Sequence, residues 1–156
     1  MMNFEQAFEK LLSHEGGYVN DRRDPGGETR YGISKRSYPN EDIAGMTLER
    51  AKLIYHRDYW LPSGCEVVPD ALKLQLFDMS VNSGVKAAIK AMQQAACVPA
   101  DGVIGPQTLT AIRAMQPARF VARFNGVRLA FMAGMAQWPA FSRGWALRIA
   151  DNLLEA

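Results

Sequence analysis

The chain has 156 residues, 22% of them charged, a formal net charge of +2 and two cysteines, Cys65 and Cys97, far apart in sequence. A length of this order suits one compact domain or two very small ones, with a core able to fold without disulfide or structural metal. The totals also exclude classes: the apolar runs are too short to span a bilayer, MMNFEQAFEKLL lacks the apolar stretch of a cleavable export signal, and the cysteines have neither zinc-ribbon nor redox-pair spacing.

Asn3 is placed to cap a first helix, with Gln6 in the capping-box position and Phe4, Ala7, Phe8, Leu11 and Leu12 forming an i, i+3, i+4, i+7, i+8 stripe. That helix should end between Ser13 and Gly16. From residue 16 to 46, Gly, Pro, Asn and Asp hold turn positions with little periodicity, which predicts a short hairpin or irregular excursion. Thr47 caps a second helix whose Leu48, Ala51, Ile54, Tyr55 and Tyr59 share one side, and Leu61-Pro62 stops it. Pro69 opens a third, Asp70 to about Asn82, with so little polar face that it should run through the core. Val85 to Cys97 reads as helix from its Ala and Met content. In PADGVIGPQT, Asp101-Gly102 makes a turn and Gly105-Pro106 starts the next helix. Two more helices, roughly Pro117 to Ala136 and Pro139 to Leu154, divide near Trp138-Pro139. Nothing after residue 46 alternates like a strand, so the fold class is mostly α. The cysteines are expected to be free, reduced and mostly buried, as in a protein made in the cytosol.

Charge is distributed unevenly. No acid lies between Asp101 and Asp151, while Arg113, Arg119, Arg123, Arg128, Arg143 and Arg148 all do; residues 113–156 carry a net +4 and the other 112 residues a net −2. Helical arginines suit phosphate or carboxylate polymers, whether nucleic acid, anionic lipid, lipopolysaccharide or an acidic wall polymer, or they form a solvated face with no partner. Nucleic acid is disfavoured. The arginines are interleaved with Phe120, Val121, Phe124, Leu129 and Phe131, and the acidic first two thirds would repel a polyanion.

The most informative stretch is LLSHEGGYVNDRRDPGGETRYGIS, Leu11 to Ser34. The first helix delivers Glu15 to the edge of the core beside Gly16 and Gly17, which leave room for close approach of a substrate. A carboxyl partly removed from water keeps its proton to higher pH, as a general acid must. Asp24 lies nine residues on in a Pro-Gly-Gly turn and Thr29 fourteen on. One protonated and one ionised carboxyl across a cleft cleave a glycosidic bond, and a hydroxyl such as Thr29 holds the attacking water. The alternative is plain structure: a solvated glutamate at a helix end, and an aspartate that forms a turn ahead of Pro25. Other chemistries fail on spacing. His14-Glu15 starts like a zinc-protease motif but Tyr18 takes the second histidine's place, GGETRYGIS lacks a P-loop Lys-Ser/Thr pair, and no nucleophile elbow accompanies His14 or His56.

HEGGYVNDRRDPGGETRYGIS resembles the signature of the glycoside hydrolase family 108 N-acetylmuramidases, a lysozyme-like group common among phage endolysins. FDMSVNSG followed by DGVIGPQTLTAI resembles the helical peptidoglycan-binding region that accompanies it. The resemblance covers most of the chain. It implies a lysozyme-like, mostly α fold with a small irregular or hairpin lobe at about 16–46, a muramidase region over 1–94 and a peptidoglycan-binding-like helical region over 95–156, in one globule. It implies cleavage of the β-1,4 bond between N-acetylmuramic acid and N-acetylglucosamine without a cofactor, Glu15 being the general acid and Asp24 and Thr29 matching the motif. By analogy with tailed-phage lysozymes, Asp24 would orient or activate water. Carboxyls roughly 6.5 to 9.5 Å apart would fit an inverting route and near 5 Å a retaining one; an Asp24 turned away would leave Glu15 alone and favour a transglycosylase.

Tyr31 and Tyr38 are candidates to stack on sugar faces and Asn82 to hydrogen-bond an acetamido group, whereas Tyr18 is as readily a core residue. Asp101, Gly102, Gly105 and Pro106 read as a structural turn before a glycan contact. The lytic reading brings expectations of its own: a monomer held in the host cytoplasm until a holin opens the way to periplasm and wall, with arginine-rich C-terminal helices that favour lipopolysaccharide. Its rivals are a non-catalytic wall-binding or secretion-accessory protein and a lytic transglycosylase.

Overall fold

Asn3 and Gln6 form a reciprocal capping box, Gln6 N donating to Asn3 Oδ1 at 2.9 Å and Asn3 N to Gln6 Oε1 at 3.1 Å, and this starts α1, Phe4–Ser13. The computed structural model describes residues 1–13, 18–20 and 27–154. Within the excursion it shows three short antiparallel strands in the order β1-β2-β3: Val19–Asn20, Glu28–Arg30 and Ile33–Ser34. Val19 pairs with Thr29 and Arg30 with Ile33.

Thr47 Oγ1 accepts from Arg50 N at 3.1 Å and caps α2, Leu48–Tyr55. The helix then widens into a π-helical turn, His56–Trp60, where Leu61 N reaches back five residues to His56 O. The remaining helices are α3 (Asp70–Ser83), α4 (Val85–Ala95), α5 (Pro106–Ala114), α6 (Pro117–Ala133) and α7 (Trp138–Leu154). The mostly α expectation therefore holds. Among the described residues every strand precedes residue 35.

The third helix is the spine. Leu72, Leu74, Leu76, Phe77 and Met79 of α3 are buried, and so are its polar residues Gln75, Asp78 and Ser80. Phe77 meets Phe4 of α1 at 5.9 Å between ring centroids, and Lys73 Nζ donates to Met2 O just ahead of that helix. The polar side of α3 docks α6 and α7. Asp78 takes Arg128 Nη2 at 2.6 Å, Arg148 Nε at 2.8 Å and Asn152 Nδ2 at 2.8 Å, while Gln75 donates to Asn152 O and accepts from Asn125 Nδ2.

Two expectations are corrected here. Arg128 is wholly buried and Arg148 mostly so, both pairing with Asp78, which removes them from any solvated arginine face. Cys97 is exposed rather than buried: α4 ends at Ala95, Cys97 turns the chain at φ 58°, and its Sγ accepts from Arg123 Nη2 at 2.9 Å. Cys65 is buried as expected, and burial pushes its thiol up to about 12.

The turn at Asp101-Gly102 is held from behind by buried Gln93. Its Nε2 donates to Val103 O at 2.9 Å and lies within reach of Asp101 Oδ1 and Thr108 Oγ1, and its Oε1 accepts from Gly102 N at 2.8 Å. The motif's conformation thus depends on one amide. Gln93→Leu would bury Thr108 and the turn backbone without partners, with an expected loss of about 2 kcal/mol of stability in urea unfolding. Faster amide exchange confined to residues 101–108 would be its local mark.

Candidate functional site

Thr29 sits on the central strand β2, half-buried, opposite Val19 on one side and Ser34 on the other. Among the described residues its Oγ1 makes only a long contact, 3.4 Å, to Gly27 O. The β2–β3 connection has two residues, Tyr31 at φ 51° and Gly32 at φ 76°. Positive φ at both centres is the geometry of a type I′ hairpin turn, whose twist matches the strands. Glycine adopts it freely, but tyrosine does so only where its surroundings insist. The restraint comes from α2: Tyr55 Oη donates to Tyr31 O at 2.8 Å.

From Tyr55 the site continues as a wall of tyrosines. The Tyr55 and Tyr59 rings lie 5.6 Å apart, and the Tyr59 hydroxyl is 3.4 Å from that of Tyr38. Tyr38 Oη donates to Asp58 Oδ2 at 3.0 Å. Burial, then the hydrogen bond with Tyr59, holds the Tyr38 hydroxyl protonated far above the usual tyrosine range. Asp58 goes the other way. Arg57, with Nε at 2.6 Å from Oδ1 and Nη2 at 2.7 Å from Oδ2, keeps its carboxyl below the ordinary value against the opposing effect of partial burial.

The fold therefore joins Tyr31 and Tyr38 through Tyr55 and Tyr59, with Thr29 on the adjoining strand. Asn82 lies apart, half-buried in the last turn of α3. Tyr18 is 47% exposed and not in the core; its hydroxyl donates to Glu28 Oε1 at 2.7 Å across the hairpin. His56 packs edge-on against Phe4 at 4.8 Å, a structural role. Glu15, Asp24 and His14 lie outside the described residues.

Sequence reasoning missed Asp58 and the part played by Tyr55 and Tyr59. The i, i+4 spacing of the two tyrosines was visible as a helical face, but the π-turn that follows Tyr55 and carries Asp58 and Tyr59 has no simple sequence signal. Chemically, the described part of the site is a half-buried aromatic surface edged with hydroxyls and one ionised carboxylate, which suits the faces and hydroxyls of a sugar ring. Among the described residues no group of three or more His, Cys, Asp or Glu side chains is placed to hold a metal ion.

A glycosyl hydrolase 108 family model matches residues 8–84, a stretch that takes in Glu15, Asp24, Thr29, Tyr31, Tyr38 and Asn82. A model described as a putative peptidoglycan binding domain matches residues 74–116, and the two overlap within α3 and its C-terminal end. No curated protein sequence matches the chain. Among solved structures, that of Brucella abortus SagA is similar along nearly the whole length, at 30% identity and a TM-score of 0.88, covering 97% of this chain and 92% of the other.

Proposed function

For this chain, which belongs to the glycosyl hydrolase 108 family and is a glycoside hydrolase carrying a peptidoglycan-binding segment, we propose hydrolysis of the β-1,4 bond between N-acetylmuramic acid and N-acetylglucosamine, with Glu15 as the general acid. One observation carries the reading: the hydrolase and wall-binding matches share a single buried helix, so the chemistry and the polymer belong to one body. Glu15 follows α1 by two residues, and α1 is fixed at its start by the capping box and along its length by Phe8 and Leu11 in the core. Such anchoring is what a proton donor needs to meet a leaving oxygen reproducibly. In this reading Asp24 orients or activates water, the Thr29 hydroxyl helps to hold it, and Tyr31, Tyr38 and Asn82 contact the glycan.

The test is the chemistry of the products. Purified peptidoglycan digested with the protein should yield fragments with reducing muramic ends by mass spectrometry. Anhydro ends would make it a lytic transglycosylase, and no release would make it a binder.

The lytic role is part of the proposal. The EGGY and DPGG elements are of the kind common among phage endolysins, so the protein would wait as a monomer in the host cytoplasm for holin-mediated release to periplasm and wall. Affinity for the anionic outer envelope is assigned to the outer face of α7, where Arg143, Leu147, Ala150 and Leu154 are exposed at i, i+4, i+7 and i+11. Deleting residues 117–156 is no clean test, because Phe120, Phe124 and Arg128 are built into the core. Arg143→Glu with Leu147→Glu is expected to lower killing of intact Gram-negative cells roughly tenfold relative to digestion of purified wall. An unchanged ratio of the two activities would remove the envelope role.

A further inference from the structure

Gly84, at φ 90°, separates α3 from α4, and from this break a groove of about 570 Å³ runs between α4 and α6. Its polar edge is a single helical row, Lys86, Lys90 and Gln94, at i, i+4 and i+8 of α4. Its apolar surface comes from Ala91 of α4 and from Val127 and Phe131 of α6, the last 43% exposed. No acid lines it.

The two lysines have no direct counter-ion. Among the described residues neither makes an ion pair, and like charges at i, i+4 on one helix repel. The acid on the neighbouring loop, Asp101, is held below the ordinary carboxylate range by Val103 N and Gln93 first and by the charge of Lys90 after them, and it makes no ion pair with either lysine. The lysine stems are also steadied: Gly102 lies against them, so close that a Cβ there would sit 3.1 Å from Lys86 Cγ and 3.6 Å from Lys90 Cε. Two positioned cations beside an apolar surface, with no acid paired to them and none lining the groove, match a ligand that carries carboxylates on a partly aliphatic chain. N-acetylated sugars are neutral, and in peptidoglycan the free carboxylates lie on the peptide stems.

We propose that this groove binds the acidic peptide stem of peptidoglycan, its carboxylates meeting Lys86 and Lys90 and its alkyl groups lying on Val127 and Phe131; this rests on the reading that peptidoglycan is the substrate. The groove begins at Ser83 and Gly84, immediately after Asn82, so a stem bound there would hang from a glycan strand held near the end of α3. Its α6 wall lies beyond the segment matched by the peptidoglycan-binding model.

The test uses the full-length, isotope-labelled protein and three soluble probes: the acidic tetrapeptide stem released from wall by an amidase, the same peptide with its carboxyls amidated, and the peptide-free disaccharide. The acidic stem should shift amide resonances at 83–94 and at Val127 and Phe131. Amidation of the peptide, or Lys86→Gln with Lys90→Gln, should weaken binding about tenfold, and added salt should weaken it too. The amidation arm stands even if the double variant folds poorly. Equal binding of the amidated peptide, shifts from the disaccharide alone, or no shifts in the groove would each overturn the proposal. Reducing ends are counted in parallel with wild-type protein on purified wall. Cleavage without peptide binding in the groove would sink this inference and leave the hydrolase reading standing, whereas peptide binding without cleavage would do the reverse.

Discussion

Glu15→Gln is expected to slow glycosidic cleavage of purified peptidoglycan by about 100- to 10,000-fold, the contribution typical of a positioned general acid. Glutamine keeps the shape and the hydrogen-bonding reach of the side chain but has no proton to give to the departing sugar oxygen. The substitution removes no buried apolar surface and follows α1, whose cap and stripe lie upstream, so melting should stay near that of the wild type. The measurement is the initial rate of reducing-end release at fixed pH, with thermal unfolding in parallel. A residual rate within about threefold of wild type, in a folded protein, would mean that Glu15 is not the acid.

The second large effect is on stability. Asp78→Ala leaves Arg128, which is wholly buried, with its charge uncompensated. Breaking a buried pair in this way costs about 3 to 5 kcal/mol, or a melting temperature roughly 6 to 20 °C lower for a chain of this size. Among the described residues the guanidinium has little else to fall back on, for none of them hydrogen-bonds Nε or Nη1 of Arg128. Changing both partners to apolar residues, Asp78→Leu with Arg128→Met, should be milder than the single change, because the wholly buried charge is removed with its partner, while Asn152 and the partly exposed Arg148 lose Asp78 in both variants. A double variant less stable than Asp78→Ala would show that the pair is net stabilising beyond its own burial.

The same pair makes stability depend on pH. Burial alone would raise the Asp78 carboxyl, but Arg128 and Arg148 together outweigh it and hold the group below the ordinary carboxylate range. A folded-state value below the unfolded one, about 3.9, means that the unfolded chain takes up the proton first. The contribution is thus fully present well above pH 4 and is lost as pH falls through the folded-state value. Wild type should lose stability steeply on acidification, and the Asp78→Leu, Arg128→Met double variant less so, as read from urea midpoints over that range.

The Asp78 cluster also shows where the sequence stops speaking. The start of α1, the Thr47 cap and the Asp101-Gly102 turn were legible because each depends on residues within a few positions of one another. The burial of α3 was legible from its apolar density. Its polar residues were not, because their partners lie far along the chain: Gln75 answers Asn125 and Asn152, and Asp78 answers Arg128 and Arg148. Read locally, those arginines belonged to a charged face. At the candidate site, the aromatic members were visible as residue types in a motif, yet the left-handed turn at Tyr31 and its tether to Tyr55 required tertiary contact to appear. Cys97 was misplaced for a simpler reason, a helix that stops two residues early.

The helix common to both matched segments limits how this protein can be re-engineered. A chimera that exchanged the wall-binding portion as a cassette would have to cut within or beside α3, severing either Phe77 from Phe4 or Asp78 from Arg128. Either cut strands half of a shared interior in water. New specificity is better sought by recolouring the outer surfaces of α4 and α7 than by grafting a foreign module.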